Sequence, residues 1–191
     1  MKKMHTFDEV FDSQGIFRLI LTAMSNPAKT VNIKEFSNKM FGNTPDFLAV
    51  AIALLDNEVS FYTCGNEELA YEIVLLTLSK IEKIENADFI FVLDLSMLPK
   101  VIECSKCGTL RDPHKSATVV VKIDDRKDVL LTLSGPGIDK TTALYTSLAV
   151  KEALELRDNQ FYEYPQGVDF IFIADNGELF AIPRLTRTEE M

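Results

Sequence analysis

Cys104 and Cys107 form a C-x-x-C pair, which is the arrangement that could most directly bind a metal ion. Two thiolates at this spacing can hold one zinc ion, as each half of a zinc knuckle does. No second half with matching spacing follows, and the other soft or nitrogen ligands in the chain are Cys64, His5 and His114. Half a motif is weak support, so we predict no metal site and keep Cys104 and Cys107 as the alternative.

Redox chemistry at the same pair is the second alternative. A thioredoxin-like pair opens a helix that follows a strand, whereas residues 97–104 predict a short helix that ends at Cys104. We therefore expect two ordinary thiols near a loop.

Residues 134–142 join a predicted strand to a predicted helix, a position where backbone N–H groups can bind phosphate. The candidate ligand-binding residues in this segment are Ser134, Gly135 and Gly137. Asp139 replaces the glycine that precedes the lysine of a P-loop, and Lys140 replaces the third glycine of a dinucleotide motif. Asp139 would also repel phosphate, so a structural turn is the alternative that the pattern favours.

Asp169 is the only charge in the apolar run 168–174 and is the next candidate. A buried carboxylate needs hydrogen-bond donors or a cation, and Arg184 is a suitable partner. Asp169 and Arg184 are therefore candidates either for a structural ion pair, which general experience with buried charges favours, or for a ligand site.

The chain has only two histidines, and it contains neither a G-x-S-x-G nor an S-x-x-K motif. A serine hydrolase mechanism therefore has little support. His114 lies in a polar segment, where exposure is the ordinary state of a histidine. We predict no catalytic residue.

The elements that must position these residues follow from hydrophobic periodicity. Helices are predicted over 16–24, 44–55, 66–79, 97–104 and 142–156, with an earlier helical turn capped by Thr6 and Glu9 and interrupted at Gly15. Strands are predicted over 30–33, 59–64, 88–94, 118–123, 129–134, 168–174 and 179–182. The polar residues 124–127 predict an antiparallel pairing of strands 118–123 and 129–134.

The last two strands predict a closing hairpin. Residues 175–177 read Asp-Asn-Gly, a tight-turn signal in which Asn and Gly tolerate a positive φ. Pro183 lacks an N–H group, so it should end the second strand or place it at a sheet edge. Strands that alternate with helices predict a layered α/β fold with a mixed sheet.

Composition limits the class of protein. The chain has 191 residues, of which 47% are hydrophobic and 26% charged, with a net charge of -9. We expect one domain over residues 1–191, and we expect neither nucleic acid nor membrane as a partner. Three cysteines without a signal-peptide pattern indicate a cytoplasmic protein with reduced thiols.

Four stretches taken together resemble one family. They are the Ala-Met-Ser-x-Pro motif that ends residues 17–27, Leu-Leu-Asp-Asn at 54–57, Ser-Gly-Pro-Gly within 131–138, and Gly-Val-Asp at 167–169 paired with Ile-Pro-Arg at 182–184. In order and spacing they are similar to PhnH, a subunit of the bacterial carbon-phosphorus lyase system.

The resemblance implies a homodimeric, three-layer α/β protein similar in fold to pyridoxal-phosphate-dependent transferases, without the cofactor's lysine and without the cofactor. It implies a cytoplasmic subunit that works with PhnG, PhnI and PhnJ in alkylphosphonate catabolism. That core complex forms ribose 1-alkylphosphonate 5-triphosphate from ATP and phosphonate, and the radical cleavage belongs to PhnJ. The chain would be noncatalytic alone.

Two alternatives remain at this point. The chain could contribute a nucleotide- or phosphonate-binding site to the transferase step, through the turn at residues 134–137 and Arg184. It could also be a pyridoxal-phosphate enzyme, which would need a lysine that forms a Schiff base. The resemblance assigns no role to any particular residue.

Overall fold

A computed structural model describes residues 6–189 of the chain. Its helices are α1 Phe11–Ser25, α2 Lys34–Ser37, α3 Pro45–Leu54, α4 Glu67–Thr77, α5 Leu98–Cys104 and α6 Leu148–Asp158. Its strands are β1 Val31–Asn32, β2 Ser60–Tyr62, β3 Lys80–Ile81, β4 Phe89–Val92, β5 Thr118–Ile123, β6 Val129–Ser134, β7 Thr142–Thr146, β8 Asp169–Ala174, β9 Glu178–Ile182 and β10 Arg187–Glu189.

Seven strands form one mixed sheet in the order β1-β9-β8-β5-β4-β2-β3. The pairs from β8 through β3 are parallel, and β9 runs antiparallel to both β8 and β1. A second, antiparallel sheet has the order β10-β6-β7. The predicted α/β class with a mixed sheet is confirmed.

The large sheet lies between two hydrophobic clusters, which gives three layers. All six residues of β8 are buried, and its five apolar side chains alternate between the two clusters. Phe170 and Phe172 pack in the cluster that contains α5, α6 and the small sheet. Ile171 and Ile173 pack on the opposite face with α1, α3 and α4. A strand that is covered on both faces needs apolar side chains at successive positions, which explains the uninterrupted apolar run.

β8 and β9 form the predicted closing hairpin, with Phe170 opposite Ile182. The connection has three residues, 175–177, and only Gly177 has a positive φ, of 81°. The Gly177 N–H donates to the Ala174 carbonyl oxygen at 2.9 Å. Pro183 ends β9 as predicted; β9 itself lies between β8 and β1 and is therefore not an edge strand.

The predicted break at Gly15 is wrong, because α1 runs through this residue. A Cβ atom at Gly15 would lie 2.6 Å from the Phe36 ring, so the glycine permits close packing instead of ending the helix. The predicted cap at Thr6 is also wrong. Asp8 Oδ1 accepts two backbone N–H groups of the first turn, and Asp12 Oδ2 accepts the N–H of Asp8 at 2.8 Å.

The predicted pairing of residues 118–123 with 129–134 is wrong, although both strands exist with those bounds. β5 pairs with β4 and β8 in the large sheet, while β6 pairs with β7 and β10 in the small one. Four of the six residues of β5 lie buried on its two faces, whereas only Leu131 and Leu133 of β6 are buried, on one face. β5 therefore suits the interior of the large sheet, where both faces are covered, and β6 suits a sheet that is covered on one face.

The predicted helix 142–156 is correct only from Leu148 onward. Residues 142–146 form β7, which alternates between exposed and buried side chains and pairs with β6. The remaining predicted helices and strands are confirmed to within a few residues at each end. None of the helices within residues 6–189 is long and apolar enough to cross a membrane.

Candidate functional site

Three segments that are distant in the sequence meet at the turn formed by residues 135–138. A Cβ atom on Gly135 would lie 2.8 Å from the Leu185 carbonyl oxygen, and one on Gly137 would lie 2.9 Å from the Ser25 carbonyl oxygen. A Cβ atom cannot lie this close to a backbone oxygen, so neither position can hold a side chain unless the backbone moves. The turn therefore contacts both the C-terminal end of α1 and the segment that leaves β9.

The turn itself has the features of type II. Pro136 occupies its second position, Gly137 has a φ of 83° at the third, and the Ile138 N–H donates to the Gly135 carbonyl oxygen at 3.1 Å. It connects β6 to β7 and no helix follows it, so the helix N-terminus expected for a phosphate site is not there. Ser134 is the last residue of β6 and lies opposite Arg187 of β10.

Asp169 and Arg184 are brought together, as the sequence suggested. Asp169 Oδ1 accepts the Arg184 backbone N–H at 2.7 Å and its Nε–H at 3.2 Å, and Arg184 Nη2 lies 2.5 Å from Asp169 Oδ2. The two side chains are only 9% and 18% exposed. Arg184 Nη1 also donates to the Pro113 carbonyl oxygen. The pair thus joins the start of β8, the end of β9 and the segment before β5.

Arg157 is a buried arginine that the sequence interpretation missed. It is 2% exposed, and its Nη2 and Nη1 groups donate to the carbonyl oxygens of Thr186 at 2.7 Å and Pro183 at 3.3 Å. Its Nε donates to Asp158 at 2.9 Å. The signal was present, because position 157 continues the buried stripe 150, 153 and 154 of α6 at helical spacing.

Three clefts adjoin the turn, and two of them are also bordered by Arg184. The first, of about 330 Å³, is bordered by Pro113, His114, Pro136, Pro165, Asp169, Pro183, Arg184, Leu185 and Thr186. The second, of about 500 Å³, is bordered by Gly135, Pro136, Arg157, Asp158, Gln160, Tyr162, Tyr164, Gln166 and residues 184–188. The third, of about 390 Å³, is bordered by residues 26–29, 137–139 and 141–142.

The sequence candidates are thus distributed over adjoining clefts. Asp169 and Arg184 border the first, Arg184 and Gly135 border the second, and Gly137 borders the third. The first cleft lies where β5 and β8 begin, since Asp169 starts β8 opposite Thr118. Open α/β sheets usually bind ligands at the carboxyl ends of their parallel strands. The first cleft lies at the opposite, amino-terminal end of these strands.

Cys104 and Cys107 have the predicted placement, at the end of α5 and just beyond it. The Cys107 carbonyl oxygen accepts the Gly167 N–H at 2.9 Å, so Cys107 helps to connect the end of α5 to the start of β8. Within residues 6–189, no group of three or more His, Cys, Asp or Glu side chains could hold a metal ion. His5 lies outside the described residues.

Two partly buried groups have raised pKa values. Burial, with a smaller contribution from Asp94, raises the pKa of Cys64 to about 11, so this thiol stays protonated near neutral pH. Burial, with a contribution from Cys107, raises the pKa of Tyr162 to about 12. Tyr162 therefore keeps its proton, which it directs toward the Ile102 carbonyl oxygen 3.5 Å away.

Two comparisons with known proteins bear on the identity of the chain. A search of curated proteins with this sequence finds no match. A family model described as bacterial phosphonate metabolism protein (PhnH) matches residues 5–189. That range includes α1, the turn at 135–138, Asp169 and Arg184, so the segments that meet at the site all lie within the match. The chain therefore belongs to the PhnH family of bacterial phosphonate metabolism proteins.

Proposed function

We propose that this chain is a noncatalytic subunit of the carbon-phosphorus lyase core complex in alkylphosphonate catabolism. In this role it supports formation of ribose 1-alkylphosphonate 5-triphosphate from ATP and a phosphonate, in the cytoplasm. Its partners are PhnG, PhnI and PhnJ, and it associates with a second copy of itself. Membership of the PhnH family, which has a role in phosphonate metabolism, is the observation that carries this proposal.

The contacts of the charged residues also support a structural role. The Asp169 carboxylate and the Arg184 guanidinium bond each other, and Arg157 bonds the backbone of residues 183–186. These groups connect secondary-structure elements to one another. A subunit that supports a reaction carried out elsewhere in an assembly needs such a stable framework.

Co-purification is the direct test of the subunit role. The chain carrying an affinity tag is co-expressed with PhnG, PhnI and PhnJ, and the eluate is separated by size exclusion with light scattering. We expect one assembly that contains all four chains, and a dimer when the chain is expressed alone. A chain that elutes without any of the three partners would contradict the proposal.

The proposal includes a fold similar to that of pyridoxal-phosphate-dependent transferases, but no pyridoxal phosphate. The cofactor gives a visible absorbance band when it forms a Schiff base with a lysine. We expect no such band after incubation with pyridoxal phosphate and removal of the excess. A stable band that disappears on substitution of one lysine would support the pyridoxal-phosphate alternative.

A second candidate function is that the chain itself binds the nucleotide or phosphonate of the transferase step. The observation that favours it is that Arg184 borders two clefts of ligand size. Calorimetric titration of the purified chain with ATP and with methylphosphonate tests this function. No heat and no thermal shift with either compound would argue against it.

A further inference from the structure

The second cleft has an unusual charge for this protein. The chain has a net charge of -9, yet the cleft is bordered by Arg157, Arg184 and Arg187 and by one carboxylate, that of Asp158. Arginine side chains present planar sets of N–H donors that match phosphate oxygens. An acidic protein that places three arginines around one cleft has a local environment that favours an anion.

Among the side chains that the structure describes, the carboxylates Asp169 and Asp158 pair with two of the three arginines. Asp169 bonds Arg184, and the two oxygens of Asp158 bond Arg157 and the Thr188 hydroxyl. Arg187 is exposed on β10, and neither carboxylate balances its charge. Arg157 borders the same cleft and is buried, so solvent screens its charge only weakly. The cleft therefore keeps a positive charge at Arg187 that a ligand can use.

The same cleft is also bordered by aromatic and amide groups. Tyr164 is 75% exposed, and Tyr162, Gln160 and Gln166 are further residues of this border. An exposed aromatic ring can stack on a nucleobase, and side-chain amides can bond its edge. Thr186 is only 1% exposed, and its hydroxyl has no hydrogen-bond partner among the described residues.

We propose that the second cleft binds a nucleoside phosphate, with the phosphate at Arg187 and the base against Tyr164. A volume of about 500 Å³ is within the range of small-molecule sites. Arg157 and Arg184 are positioning residues, because their N–H groups hold the backbone and Asp169. The inference rests on the second candidate function and is independent of association with PhnG, PhnI and PhnJ.

Calorimetry on the purified full-length chain tests this proposal, with ATP, adenosine and inorganic phosphate as separate ligands. We expect ATP to bind more tightly than adenosine or phosphate. Arg187→Gln should weaken ATP binding about tenfold or more, since it removes a charge-assisted contact. Tyr164→Ala should weaken it by about tenfold through the loss of stacking. Thermal unfolding confirms that each variant is folded.

Two matched variants serve as controls. Arg126 is an exposed arginine paired with Asp124, so Arg126→Gln should leave ATP binding unchanged. His114 borders the first cleft but not the second, so His114→Ala should also leave it unchanged.

The outcomes separate this inference from the proposed functions. If His114→Ala and not Arg187→Gln weakens ATP binding, the inference is wrong while the second candidate function stands. Equal losses in Arg187→Gln and Arg126→Gln, or phosphate binding as tight as ATP binding, would overturn the nucleoside phosphate assignment. Absence of ATP binding would overturn both the nucleoside phosphate inference and the second candidate function. The proposed subunit role would then be decided separately, by the co-purification test.

Discussion

Asp169 and Arg184 connect the two ends of the closing hairpin through both backbone and side-chain bonds. Asp169 is the first residue of β8, and Arg184 lies two positions beyond the end of β9. One carboxylate accepts the N–H of the Arg184 backbone and two N–H groups of its guanidinium. The Asp169 carboxylate therefore holds the backbone in place just after Pro183, and it also neutralises the charge of the Arg184 guanidinium.

Replacing Asp169 by Ala should destabilise the protein by about 3 kcal/mol, because it leaves a largely buried guanidinium without its carboxylate. Asp175→Ala is the matched control at the other end of β8, where an exposed pair with Lys122 contributes less than about 1 kcal/mol. Urea unfolding of both variants measures the difference. Equal costs would show that the Asp169–Arg184 pair has no special structural role.

A side chain at Gly137 should destabilise the protein for two reasons, which are the positive φ of this residue and its close contact with Ser25. Gly137→Ala places a Cβ atom 2.9 Å from the Ser25 carbonyl oxygen at a φ of 83°. Gly65→Ala is the control, since Gly65 has a φ of 86° and no atom within 4 Å of the added Cβ. The control should cost about 1 kcal/mol from φ alone, and Gly137→Ala should cost clearly more in urea unfolding. Equal values would exclude a tight contact with α1.

Arg157 should contribute to stability through the two carbonyl groups that it bonds. Arg157→Leu keeps much of the buried volume but leaves the Pro183 and Thr186 carbonyl oxygens without this donor, and we expect a loss of about 3 kcal/mol. Lys151→Leu, on the exposed face of the same helix, should change stability by less than about 0.5 kcal/mol. If both variants unfold at the same urea concentration, these bonds contribute nothing.

Asp88 should make stability depend on acid pH. Burial raises the pKa of Asp88, but hydrogen bonds from Lys106 and Ser60 outweigh it and hold the pKa below its ordinary value of 3.8. The folded state therefore binds this proton more weakly than the unfolded state does. The resulting stabilisation is complete above the ordinary value and is lost as the pH falls through the lowered one.

The Asp88→Asn variant tests this dependence. The difference in unfolding free energy between the native chain and the variant should be largest near neutral pH and should shrink below about pH 4. Urea unfolding at a series of pH values measures it. A difference that stays constant down to the lowest pH at which the protein folds would show that Asp88 does not titrate with folding.

Much of the fold could be predicted because local pattern and burial agree. The apolar run of β8 and the Asp-Asn-Gly turn after it predict the hairpin, and the Thr44-Pro45 start predicts α3. Pairing could not be predicted in the same way. The polar loop after β5 permits a hairpin with β6, but whether a strand lies between two helical layers or at the protein surface depends on its distant neighbours.

The candidate site was only partly predictable for the same reason. Asp169 was identifiable because a charge within an apolar strand needs a partner. The second cleft combines α6, the loop before β8, and β10, and no local motif brings these three together. β7 was missed because its five residues run directly into the helix-forming residues of α6, and this continuity hid the alternation of its side chains.

The position of β8 in the large sheet has a consequence for biosynthesis. β8 lies between β5 and β9, and the early strand β1 pairs with β9. While the ribosome is still adding residues before 169, β5 has no partner on that side. Nascent chains would then expose the unpaired edge of an apolar strand, which favours aggregation. The large sheet can be completed only after β9, which ends at Ile182, has emerged from the ribosome, so the order of synthesis delays closure of the sheet around β8.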